Sequence, residues 1–95
     1  MNEFDSVWIF HGAGGRFASA VFPERDQAIA WIERYALSGV LTRYPVGVSI
    51  YDWATEQGHF KPKSEKDASA EFIGRFSSAA QEHWHFENGS ADAEG

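Results

Sequence analysis

The stretch Gly12-Ala13-Gly14-Gly15 constrains the fold of this chain more than any other. Glycine enters positive φ at little steric cost, so three glycines in four residues mark a reversal of the chain. Before them, Ser6-Val7-Trp8-Ile9-Phe10-His11 is β-branched and aromatic, which favours a strand. After them, Arg16 to Phe22 reads as the returning strand. It sets Phe17, Ser19 and Val21 on one face and Ala18, Ala20 and Phe22 on the other. A hairpin over 6–22 is predicted. The glycines do not form a nucleotide loop, because G-x-x-x-x-G-K-[ST] and G-x-G-x-x-G are both unmet. They also lead into a strand, so no helix dipole stands behind an anion there. Arg16 is the cation placed to pair with an acidic ligand at this turn.

Past the hairpin the period changes from 2 to 3.6. Pro23 suits a first helical turn, and Glu24 and Asp26 suit the positive end of a helix dipole. Ala28, Trp31, Ile32 and Tyr35 then form one apolar stripe, with Gly39 as the expected stop. Val40 to Tyr44 predicts a third strand, ended by Pro45. Val46 to Trp53 has strand propensity, but a short helix over Ile50 to Gln57 is preferred. Ser49 can cap it, Asp52 occupies its third position and Gly58 can end it. A polar loop over Lys61 to Asp67 precedes another short helix over Ser69 to Phe76. Gln81 to Glu87 alternates as a half-buried strand, with Trp84 and Phe86 opposite His83, His85 and Glu87.

The predicted order is β-β-α-β-α-α-β. It describes an α+β domain: a four-stranded, mostly antiparallel sheet with helices on one face. The domain spans 1–87. Residues 88–95 (NGSADAEG) hold no large apolar side chain and are expected to form a flexible acidic tail.

Composition narrows the function classes. The 95 residues are 43% apolar and 23% charged, which suits a globular domain rather than a disordered chain. The absence of Cys excludes disulfides, thiolate metal sites and Cys nucleophiles. Net charge is −6, and the densest basic stretch, Lys61, Lys63 and Lys66, is diluted by Glu65 and Asp67. No cationic stripe tracks a phosphate backbone, so nucleic acid is not an expected partner. Apolar runs are only a few residues long, so no membrane span is expected. The acidic opening Met-Asn-Glu-Phe-Asp does not resemble a signal peptide, and the cytoplasm is the expected compartment.

Two constellations remain. His83 and His85 share a strand face, and His11 could join them if the first and last strands are neighbours. Three imidazoles could then hold a divalent metal, or one could act as a general base. No motif supplies a nucleophile, and no cofactor is implied. The second constellation is aromatic. Four Trp, three Tyr and eight Phe make up 16% of the chain, more than one face of a small sheet can hide. Trp31, Tyr35, Phe72 and Phe76 have core spacing. Trp8, Trp53 and Trp84, together with Arg16 of the glycine turn, are the candidate binding residues.

The run Val7 to Gly12, Arg16 to Phe22, Ala30-Trp31-Ile32 and Ser38 to Pro45 resembles an uncharacterised family of small bacterial domains. So do Tyr51 to Ala54, Gly58 to Pro62, Phe72 to Ser78 and Gln81 to Phe86. The resemblance implies a bacterial source and brings no catalytic residues with it. The Leu-Thr-x-Tyr-Pro and Tyr-Asp-Trp patterns are loosely similar to immunity-type proteins, which act by binding. The chain is therefore expected to be a non-catalytic module for a protein partner, a basic toxin-like one among them, or for self-association. The alternative is the His11, His83 and His85 site.

Overall fold

A computed structural model describes residues 5–91. They divide into two compact units. One comprises the residues up to Val46 together with those from Gln81 onward; the other is Gly47–Ala80.

The first unit is a five-stranded antiparallel sheet with one helix. Its strands are β1 (Ser6–Gly12), β2 (Ala20–Phe22), β3 (Gly39–Pro45), β4 (His83–Glu87) and β5 (Ser90–Ala91). Their spatial order is β2-β1-β3-β4-β5. The helix α1 is Arg25–Arg34. It packs on the face carrying Trp8 and Phe10 of β1, Leu41 of β3 and Phe86 of β4, where Ala28 and Ile32 complete the core. Phe10 stands directly across from Leu41, and Leu41 across from Trp84, so one layer of apolar side chains crosses three strands.

The hairpin forms, but with a longer connection than the alternation predicts. A tight turn closes from the Gly15 N–H to the Gly12 carbonyl, and Gly14 takes φ 79°. The Gly15 carbonyl is then occupied by the imidazole of His11, which leads Arg16 to Ala18 away from the ladder. Pairing resumes at Ala20, across from Phe10. The helix ends earlier than Gly39. Tyr35 is the C-cap, Ala36 takes the left-handed conformation at φ 52°, and the Leu37 N–H reaches back to the Ile32 carbonyl. Tyr35, expected inside, is 55% exposed because it stands at the C-cap, past the last helical turn. Gly39 instead begins β3. A side chain there would put its Cβ 2.4 Å from the His11 carbonyl oxygen, so only glycine lets β1 and β3 approach this closely.

The sheet has five strands rather than four. Asn88 (φ 53°) and Gly89 (φ 89°) form a tight turn after β4, and Ser90–Ala91 pairs back onto it. The Gly89 N–H donates to the Leu37 carbonyl at 2.8 Å and the Asn88 N–H to Ser38 Oγ at 3.0 Å. These bonds anchor the turn to the end of α1. Of the expected tail, 92–95 lie outside the described residues.

The second unit contains α2 (Ile50–Glu56), a 3-10 turn (Lys66–Ala68) and α3 (Ala70–Gly74). The helix expected over Ile50 to Gln57 is present. Ser49 Oγ accepts from the Asp52 N–H at 3.0 Å, and Ser69 Oγ caps α3 in the same way through Phe72. Tyr51 of α2 packs with Phe60, Phe72 and Phe76, with ring centroids 4.8–6.3 Å apart. Its hydroxyl donates to the Asp67 carbonyl at 2.9 Å, which ties the 3-10 turn to α2. Such rings supply most of the apolar area a segment this short can bury.

Candidate functional site

Strand alternation leaves one sheet face of the first unit without a helix. In antiparallel pairs, directly opposed residues share a face. Val7 opposes Tyr44, Ile9 opposes both Thr42 and Val21, and His11 opposes Val40. On the far side, Val40 opposes His85 and Thr42 opposes His83. The open face is therefore an apolar centre of Val7, Ile9, Val21, Val40 and Tyr44 with histidines along it. Val7, Ile9, Val40 and Tyr44 are half-buried, and Val21 is 60% exposed. Nearby, in the β1–β2 connection, Phe17 is 79% exposed.

At one end of this face lies an open hollow of about 680 Å³. The turn Gly12–Gly15 forms one wall, Val40, Thr42 and Tyr44 the floor, and His85 and Glu87 the other wall. His11 also lines it, with Nε2 donating to the Gly15 carbonyl at 2.6 Å. That bond fixes which nitrogen carries the proton and leaves Nδ1 as the acceptor of the neutral ring.

The histidines separate into a pair and a single. His83 and His85 lie side by side on β4, ring centroids 5.4 Å apart. His11 is on β1, two strands away across β3, a distance of about 10 Å at the ordinary strand spacing. The expected convergence of all three on one ion is not found. Among the described residues, no group of three or more His, Cys, Asp or Glu side chains is arranged to hold a metal. The reason is the strand order: β3 lies between the first and fourth strands, so β1 and β4 are not neighbours.

The aromatic candidates take different places. Trp8 is 7% exposed and belongs to the core, because its side of β1 faces α1. It is not presented to a partner. Trp84 is on that same face, half-buried, with the Arg25 guanidinium 5.2 Å from its ring. Its indole N–H is buried without a hydrogen-bond acceptor. Trp53 is in the second unit, half-buried and 5.1 Å from the His59 ring. Arg16 is exposed in the β1–β2 connection, next to Phe17. The most exposed large apolar residues are thus Phe17, Val21, Tyr35, Val46 and Ile73, with no tryptophan among them. A signal for the apolar sheet face lies in β1, where Val7-Trp8-Ile9-Phe10 is apolar on both faces.

One helix of the described residues is ten residues long and the others are shorter, so none is long and apolar enough to cross a membrane. A family model described as a domain of unknown function (DUF7710) matches residues 7–92. No curated protein and no solved structure matches the chain.

Proposed function

The chain belongs to the DUF7710 family of domains of unknown function, and from that premise we propose that it is a non-catalytic protein-binding module. The observation that carries this reading is the open sheet face. Its centre is Val7, Ile9, Val21, Val40 and Tyr44, and no helix of the same unit covers it. A flat apolar centre with a polar rim is how a binding surface is built. Here the rim is His11, His83, His85 and Glu87. A net charge of −6 steers a basic partner toward the molecule before the apolar centre engages. A second copy of the chain is the other occupant this face accepts.

The test is differential capture. The native chain, Val21→Glu, Val40→Lys and the second-unit control Glu71→Ala are immobilised and exposed to an extract of the source organism. Retained proteins are identified by mass spectrometry, and sedimentation of each purified chain reports self-association. A partner, or a dimer, kept by the native chain and Glu71→Ala and lost by both face variants supports the reading. Identical retention and sedimentation by all four chains overturns it.

A further inference from the structure

We propose that the His83–His85 pair on β4 chelates one divalent transition-metal ion. The two rings lie on one face of β4, 5.4 Å between centroids. An imidazole nitrogen binds such an ion at about 2.0–2.1 Å, which places each ring centroid about 3.2 Å from the metal. Two rings at a tetrahedral angle are then about 5.2 Å apart. The observed separation, with the ring planes 84° apart, is close to this value.

The support behind His83 points the same way. Its Nδ1 donates to the Gln81 carbonyl at 2.7 Å, which leaves Nε2 unprotonated in the neutral ring. A backbone carbonyl on the remote nitrogen is the usual second partner of a metal-binding histidine; it sets the tautomer and raises basicity. That carbonyl is itself held. Gln81 is 4% exposed, and its Nε2 donates to the Arg43 carbonyl at 3.1 Å. His85 is exposed and supplies the second nitrogen, with Thr42 standing across the ladder from His83. The site is bidentate, so it suits ions that accept two imidazoles and complete their shell with water, and tetrahedral zinc(II) fits the ring separation. The inference is independent of the docking reading, since it needs only β4 and the chain before it.

The experiment is a calorimetric titration of the full chain with Zn²⁺ in a non-chelating buffer. The native protein is compared with His83→Gln, His85→Gln, His11→Gln and His59→Gln. One ion per chain is expected, weakened about tenfold or more by His83→Gln and by His85→Gln alike, with the other two close to native. Equal losses across all four variants, or none, would mean independent single imidazoles and overturn the chelate. A Zn²⁺ titration of the native protein, followed by imidazole ¹⁵N shifts, covers the case of a variant that unfolds. His83 Nε2 and one His85 nitrogen should move together while His83 Nδ1 keeps its proton. Movement of His11 without them overturns the proposal.

Discussion

Ala36 occupies a conformation that costs an L-residue about 1–2 kcal/mol relative to right-handed helix, and it does so at the helix terminus where glycine is usual. Ala36→Gly is therefore expected to raise stability by about 1 kcal/mol, read as an upward shift in the denaturant midpoint. Gly39 is the converse. Gly39→Ala must push the new methyl into the His11 carbonyl and the Phe10 ring, so a loss of about 2–3 kcal/mol is expected on the same assay. An unchanged midpoint would show that the β1–β3 approach relaxes freely. Trp84 tests a different quantity. Its buried indole N–H lacks an acceptor, a penalty of about 1–3 kcal/mol that phenylalanine does not incur. Trp84→Phe should then cost less than about 1 kcal/mol despite the smaller ring. A large loss would mean that the ring's packing under Arg25 outweighs the orphaned donor.

The elements differ in how openly the residues announce them. α2 was legible because Ser49, Asp52 and Gly58 punctuate it, and the cap is formed by the Ser49 oxygen the pattern selects. Ser49→Ala should cost about 1 kcal/mol, seen as faster amide exchange over Asp52 and Trp53. β4 was legible from strict alternation, which also set His83 and His85 on one face. β5 was not, although Asn88-Gly89 is the strongest short signal for a tight turn. Its flanking residues are small and polar, so composition argued for a loose end; what orders them is a set of bonds to Leu37 and Ser38, fifty residues away in the chain. The same non-locality hid the separation of His11 from the other histidines. Sheet order depends on packing between distant segments, and nothing within β1 or β4 encodes that β3 lies between them. The second face was half visible: β1 is apolar on both sides, but only the placement of α1 says which side that helix covers.

At the scale of the whole molecule, charge and topology act together. Under the proposed docking reading, a net charge of −6 in a chain this small makes capture of a basic partner depend on ionic strength. Raising salt from low to physiological levels should slow association in stopped-flow mixing while changing dissociation little; equal effects on both rates would speak against steering. Among the described residues the sheet's outer strands are β2, three residues long, and β5, two residues long. Short outer strands are one way in which natural sheets blunt their edges. Outer strands this short favour association through a face over growth strand by strand. Concentrated samples are accordingly expected to form small closed assemblies rather than fibrils, which sedimentation checks.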